Sequence, residues 1–425
     1  MDIGFPEALL LLGLVLAAAS GLSGLMHGTV LSISVLSVVA GIGLSLAGVI
    51  SVQPGAEVVL ITVQLALLLT LFSDGLFVEN ELLQSVWRAP ARALAFAMPI
   101  TLALIACAAK LLFDALTWPE ALLLGAVLSP TDPVITSAVV TAKRIPAAIR
   151  HTLNLESGLN DGLALPFVLF FLVLATHEES PALEALELVG EAGLGALIGI
   201  LVAILGARLL PRLPGGGLTS KYEGVYSLAI AFIAFGLAEF TWGNGLISVF
   251  VAGIALAVAR HEIPASFAEF NETVSTTFQV ITFVIFGSLI VATGWSGSTP
   301  KLLVFVGFTL LVARPAAVLV SFLGIPLPLS QKLFIAWFGP KGVASMLFAL
   351  LVLNSTDANR SLVFDVASFT VLASILAHGL TDTVGANWLE RRLGGSGGAD
   401  EDDIRESVEA HQHDPADPVV PSAQR

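Results

Sequence analysis

Two short polar runs, set in apolar surroundings, carry the chemistry of this 425-residue chain. The first is Leu128-Ser129-Pro130-Thr131-Asp132-Pro133-Val134. Its two prolines remove backbone donors and disfavour helix at the residues before them, so a helix should unwind here. Unwound backbone at membrane depth survives only where it is buried in protein or lines a cavity. It frees carbonyls to coordinate a cation, and the half-helix ends supply partial charges. The second run is Asn154-Leu155-Glu156-Ser157-Gly158-Leu159-Asn160-Asp161-Gly162. Ser157 and Asp161 are i, i+4 and share one helix face; Glu156 and Asn160 form the adjacent pair. A hydroxyl and a carboxylate on one face are hard oxygen ligands of the kind a small alkali cation takes. A carboxylate removed from water also holds a proton more readily. One group that accepts either a proton or a metal ion can exchange them. The competing reading is a satisfied polar network that joins helices.

Five more ionisable residues lie within or near apolar stretches, where a charge costs several kcal/mol and marks a functional candidate. Arg314, in Ala313-Arg314-Pro315, cannot neutralise and needs an anionic partner; Glu156 is the candidate for a structural ion pair. Lys341 sits in a second interrupted stretch, Trp337-Phe338-Gly339-Pro340-Lys341-Gly342. Asp132 belongs to the first polar run. Asp74, in Phe72-Ser73-Asp74-Gly75, reads equally as lining an ion path or as reaching the membrane interface. Lys110 and Glu239 lie near the ends of apolar stretches and read as snorkelling and interfacial groups.

These residues must be positioned by membrane helices. Apolar runs bounded by polar or Gly/Pro punctuation predict thirteen spans, near 6–26, 29–50, 56–73, 92–113, 119–140, 147–175, 186–210, 222–240, 243–260, 273–293, 301–323, 330–353 and 362–388. Basic residues follow the odd-numbered spans: Arg88 and Arg92, then Lys143, Arg144 and Arg150, then Arg208, Arg212 and Lys221, then Arg260, Lys332, Arg391 and Arg392. Lys301 and Arg360 follow even ones. This bias predicts an N-terminus outside and a C-terminus in the cytoplasm. Spans 5 and 12, both interrupted, then run in opposite directions. That predicts two six-helix inverted repeats, about 6–175 and 222–388, whose broken helices cross at mid-membrane. At such a crossing, paired helix N-termini favour a negative charge and paired C-termini a positive one. Asp132 and Lys341 suit these roles.

Composition fits an all-α polytopic membrane protein. Charged residues are 12 % of the chain, hydrophobic ones 56 %, and the mean hydropathy is +0.90. A single soluble core cannot absorb that much apolar surface, which excludes an ordinary soluble enzyme. One cysteine, Cys107, gives no disulfide framework. Two tyrosines and 19 basic residues give no stacking platform or basic stripe for nucleic acid. Of the net charge of −14, the segment Ser396–Arg425 contributes −6, from eight acidic and two basic residues. Led in by Gly394-Gly395-Ser396-Gly397-Gly398, residues 393–425 read as a disordered acidic cytoplasmic tail, or as a partner site. The start, Met1-Asp2-Ile3-Gly4, lacks the positive charge of a signal peptide, so the first apolar stretch reads as a retained span.

Together, Ser129-Pro130-Thr131-Asp132-Pro133 and Glu156-Ser157-Gly158-Leu159-Asn160-Asp161 resemble the signature of monovalent cation:proton antiporters. The likeness is strongest to sodium/proton exchangers of the NhaP type. Arg314 and Phe338-Gly339-Pro340-Lys341-Gly342 share it, and it covers roughly residues 1–392. The resemblance implies a thirteen-span homodimer in the plasma membrane of a prokaryote, with a panel of dimerisation helices and a moving core. It implies no resident cofactor: the ligands are the transported sodium, with lithium or potassium as alternatives, and the proton. By resemblance Asp161 is the shared sodium and proton site. Ser157 and the Thr131 carbonyl coordinate the ion and Asp74 contributes. Asp132 and Asn160 organise the site, and Glu156 and Arg314 form a salt bridge. Asn160-Asp161, rather than two aspartates, implies electroneutral exchange of one proton for one cation. Lys341 stands where many relatives carry arginine. A channel or an organic-solute carrier is the remaining alternative. The first needs no lone titratable carboxylate, and the second needs a larger, more aromatic pocket.

Overall fold

The computed structural model describes residues 10, 13–18, 21, 33–53, 55–82, 88–132, 145–176, 181–209, 220–259, 265–294, 297–356 and 359–393. Regular structure among them is helical: α1 (Ile33–Leu46), α2 (Glu57–Leu82), α3 (Arg88–Leu112), α4 (Trp118–Val127), α5 (Ala147–Thr176), α6 (Pro181–Leu209), α7 (Ser220–Phe240), α8 (Gly245–Ala259), α9 (Ala265–Thr293), α10 (Thr299–Ser321), α11 (Leu329–Trp337), α12 (Val343–Leu353) and α13 (Arg360–Leu393). Each expected span from the second to the thirteenth has its helix, with α11 and α12 the two halves of one span. The first span lies largely outside the described residues. So do the second half of the fifth span from Pro133, the basic residues Lys143, Arg144, Arg212 and Arg260, and the acidic tail from Gly394.

Among the described residues, eight helices are long and apolar enough to cross a membrane: α2, α3, α5, α6, α7, α9, α10 and α13. By contrast α4 has 10 residues and α12 has 11. At about 1.5 Å per residue each covers roughly half of a bilayer core about 30 Å thick. They are half-helices, and their inner ends are the two interruptions seen in the sequence. Thr117 starts α4 with a capping box, its hydroxyl taking the Glu120 N–H while the Glu120 carboxylate takes the Thr117 N–H.

The helices pack as two groups. In one, α6 and α2 lie against α8, and α1 lies against α9. Lipid offers no hydrophobic drive for helix pairing, so close backbone approach at small residues matters. Gly75 of α2 meets Gly253 of α8 in this way, and a Cβ at Gly199 of α6 would strike the Ser248 carbonyl. In the other group α4 packs between α3 and α5, α12 lies on α13, and α10 touches α3 and α11. The groups meet where α2 packs against α5, which carry Asp74 and the second polar run.

Two π-helical turns were not expected. One, Ala93–Ala97, lies in α3 just ahead of Met98-Pro99; the other, Thr309–Ala313, lies in α10 just ahead of Arg314-Pro315. Proline lacks an N–H and its ring crowds the carbonyl four residues back. A widened turn relieves that crowding without breaking the helix. The part of α10 after its π turn packs on the π turn of α3, with Ala93, Ala97, Ala313 and Ala317 buried. The same order thus appears twice along the chain: a long helix, a π-bulged helix, an interrupted helix and another long helix, as α2–α5 and as α9–α13.

Candidate functional site

The two interruptions meet. After α4 the backbone runs non-helical through Ser129, Pro130, Thr131 and Asp132, and α11 and α12 are separated by Phe338–Gly342. The Asp132 N–H donates to the Pro340 carbonyl at 2.9 Å. The Val343 N–H, in the first turn of α12, donates to Asp132 Oδ2 at 2.9 Å. Lys341 Nζ donates to the carbonyls of Ser129 and Pro130, each at 3.2 Å, just past the C-terminal end of α4. Each charge therefore sits at the end of the other's half-helix, the anion at exposed N–H groups and the cation at exposed carbonyls. Lys341 is 1 % exposed. Its own N–H donates to Ser374 Oγ of α13 at 2.8 Å.

Two glycines make this meeting possible. A Cβ at Gly342 would overlap the Asp132 carboxylate, and a Cβ at Gly339 would overlap the Arg314 guanidinium. Arg314 Nη1 donates to Glu156 Oε1 at 2.6 Å, with side chains 7 % and 4 % exposed respectively. The pair ties α10 to α5 beside the crossing.

The second polar run lies on α5, alongside the first. Asn160 Nδ2 donates to Thr131 Oγ1 at 2.7 Å, and the Thr131 and Ser157 hydroxyls are 3.4 Å apart. Asp161 is buried. Among the described residues, three oxygens here are buried without a hydrogen-bond partner: Asp161 Oδ1, Asn160 Oδ1 and Asp74 Oδ2. Asp74, Asp132 and Lys341 are the charged groups whose fields reach Asp161. Asp74 comes from α2, one residue from the glycine that lets α2 meet α8, and its backbone carbonyl faces Gly158 of α5. Such orphaned acceptors cost free energy unless something fills them. The donor set is carboxylate, amide and hydroxyl oxygen. Among the described residues, no three His, Cys, Asp or Glu side chains group as ligands of a metal ion.

The site candidates Asp74, Thr131, Asp132, Glu156, Ser157, Asn160, Asp161, Arg314 and Lys341 fall within one neighbourhood built from α2, α4, α5, α10 and the α11–α12 break. The two end groups behave locally. Lys110 Nζ donates to the Leu116 carbonyl at 2.7 Å, and Glu239 Oε1 accepts the Gly245 N–H at 2.9 Å at the start of α8. Asp365 and His378 of α13 were not singled out, although both are buried inside an expected span. Asp365 Oδ1 accepts from Thr293 Oγ1 at 2.8 Å, and His378 contacts the α11 end. Including histidine, and carboxylates near span ends, among the candidates would have found both.

A sequence profile described as "Sodium/hydrogen exchanger, transmembrane" matches residues 11–385. The chain belongs to the sodium/hydrogen exchanger family. This exchanger-family chain is 26 % identical over 341 residues to the K(+)/H(+) antiporter NhaP of Alkalimonas amylolytica, covering 79 % of this chain and 58 % of that protein. It is 26 % identical over 323 residues to a Na(+)/H(+) antiporter of Schizosaccharomyces pombe, covering 65 % and 66 %. The chain thus spans little more than half the length of the NhaP relative. Its fold matches the structure of the sodium proton antiporter MjNhaP1 from Methanocaldococcus jannaschii at pH 8. The TM-score is 0.75 at 20 % identity, covering 90 % of this chain and 99 % of the other. That likeness places the exchanger-family chain in a polytopic, integral-membrane fold.

Proposed function

We propose that the chain is a secondary monovalent cation/proton antiporter, not an enzyme, and that Asp161 is the carboxylate for which cation and proton compete. The observation that carries the reading is the set of orphaned oxygens, Asp161 Oδ1, Asp74 Oδ2 and Asn160 Oδ1, beside the hydroxyls of Ser157 and Thr131. A desolvated alkali cation needs several oxygen ligands, and this site offers them with no other claimant among the described residues. A proton on Asp161 satisfies the same carboxylate in the cation's absence. The site needs no resident cofactor. Asp132 is committed to the α12 end and Glu156 to Arg314, so they hold the site rather than carry the load. Asn160 cannot titrate, so of this pair Asp161 alone trades a proton for the cation, which predicts electroneutral one-for-one exchange.

Alternating access then moves the α3–α5 and α10–α13 group against the panel containing α2, α8 and α9, with Asp74 on the stationary side. The chain works as a homodimer in a plasma membrane with its C-terminus in the cytoplasm. There it exchanges cations for protons and contributes to pH homeostasis. Sodium is the first cation proposed. Potassium is the second, because the bacterial NhaP relative is named for potassium and the Schizosaccharomyces pombe relative for sodium.

The test is collapse of an imposed pH gradient in proteoliposomes on adding sodium, potassium or lithium, with and without an ionophore clamping the voltage. The reading expects cation-dependent collapse that the clamp does not change. No collapse with any of the three overturns antiport, and a rate that follows the imposed voltage overturns electroneutrality.

A further inference from the structure

α9 and α13 belong to the two groups that alternating access moves past each other, α9 to the panel and α13 to the moving group. An aromatic and a polar contact join them. Phe286 and Phe364 pack edge to face with ring centroids 5.5 Å apart, and both are fully buried. Thr293 Oγ1 lies 2.8 Å from Asp365 Oδ1, and Asp365 is 7 % exposed. Phe286 and Thr293 stand two turns apart on one face of α9, while Phe364 and Asp365 are neighbours on α13. Thr293 is the last residue of α9, and Asp365 lies in the second turn of α13. Arg391 and Arg392 close the far end of α13. With that end in the cytoplasm, the contact stands at the outer face, whereas Asp161 stands midway along α5.

The Thr293 hydroxyl has one proton and two acceptors within reach, Asp365 Oδ1 and the Leu289 carbonyl of its own helix at 3.0 Å. A charged Asp365 takes the hydroxyl's bond. A protonated Asp365 donates to Thr293 Oγ1 instead, and the hydroxyl turns to Leu289. α9 stays tied to α13 in both cases. The tie does not stretch: a hydrogen bond is lost beyond about 3.5 Å, so a slide of α13 against α9 breaks it.

We propose that Thr293 and Asp365 are positioning residues for exchange: their bond, seated beside the Phe286–Phe364 contact, latches the moving group to the panel at the outer face and breaks each time the ion site turns outward. The proposal rests on the antiporter reading above. Its consequence is an asymmetry between the two faces. The latch stabilises the form shut at the outer face and leaves the ligands of the cation untouched. The apparent KM at one face rises as the form open to that face becomes scarcer. The ratio of outer to inner apparent KM therefore follows the population ratio of the outer-shut to the outer-open form. One hydrogen bond between membrane helices changes such a ratio by about three- to fifteenfold.

The experiment measures exchange in proteoliposomes of one protein orientation, with the cation that drives it presented at either face. Thr293→Val keeps the shape of the side chain without its hydroxyl, and should lower the outer-to-inner ratio of apparent KM by about three- to fifteenfold. Asp365→Asn keeps an oxygen acceptor and adds an amide donor for Thr293 Oγ1, and should hold the unmodified ratio. A defect of folding alone lowers the rate of Thr293→Val without moving the ratio. In a second measurement Thr293→Cys and Asp365→Cys are combined with Cys107→Ala, which removes the native thiol. Oxidation should join the pair and stop exchange, and a reductant should restore it. An unchanged ratio in Thr293→Val overturns the proposal. So does undiminished exchange in the fully cross-linked protein, or failure of the two cysteines to join. Absence of exchange with every cation in the unmodified protein would instead overturn the antiporter reading itself.

Discussion

The site depends on pairs of residues that are distant in sequence and have little room for substitution. Arg314 and Glu156 illustrate this. The pair is buried, yet Glu156 Oε2 and Arg314 Nε and Nη2 have no hydrogen-bond partner among the described residues. Removing one partner leaves an uncompensated buried charge, which costs about 3–5 kcal/mol, whereas replacing both by apolar groups is far milder. Thermal unfolding in detergent should therefore rank Arg314→Met below the Glu156→Leu/Arg314→Met double variant. The reverse order would show that the two charges do not depend on each other. Gly342 makes a second case. A Cβ there collides with the Asp132 carboxylate, and overpacking typically costs about 1–3 kcal/mol. Gly342→Ala should lower the unfolding temperature and impair exchange, because the carboxylate that caps α12 must move. Gly307→Ala, a position with open space around it, is the matched control and should do neither.

Half-helices and π turns set where these residues stand. The interruption in span 5 was legible from two prolines around Thr131-Asp132, and that in span 12 from Gly339-Pro340. Both signals are local, since a missing N–H disrupts helix wherever the chain lies. The π turns were not legible. Met98-Pro99 and Arg314-Pro315 tell of crowding at the preceding carbonyls, but packing of the two helices decides whether the chain kinks or widens. The glycine fits at 339 and 342 and the Ser374–Lys341 bond were equally hidden, because each partner is supplied by a different helix. Outside the membrane spans, Asp114 in the α3–α4 loop is bonded to Lys301 of α10 at 2.9 Å. That hydrogen bond, with the ammonium's charge, holds its carboxyl below the usual carboxylate range. A lowered folded value means the pair contributes above the unfolded value of about 3.9 and is lost as pH falls through the folded one. Both side chains are exposed, so screening limits the effect. Asp114→Asn should shift thermal unfolding only slightly at neutral pH, and the difference should vanish in acid.

For the whole molecule, charge is sparse and the sparseness is informative. The expected order of spans matches the helices described, and the buried charges that sequence singled out gather at one crossing. Most of the site was readable because a charge in a bilayer needs a reason, and six such residues could be named from type and position alone. What could not be read was mutual orientation. Nothing local in Asp132 says that its carboxylate caps α12, or in Lys341 that its ammonium reaches Ser129 and Pro130. Those facts come from packing two interrupted helices against each other. The central claim is that cation and proton share Asp161. It is tested most directly by proton release from the purified protein in weakly buffered detergent solution on adding the transported cation. The account predicts release of about one proton per cation bound, since binding to a protonated carboxylate displaces its proton. It also predicts that both binding and release disappear in Asp161→Asn while the protein remains folded. Cation binding without proton release, or undiminished release in that variant, would contradict it.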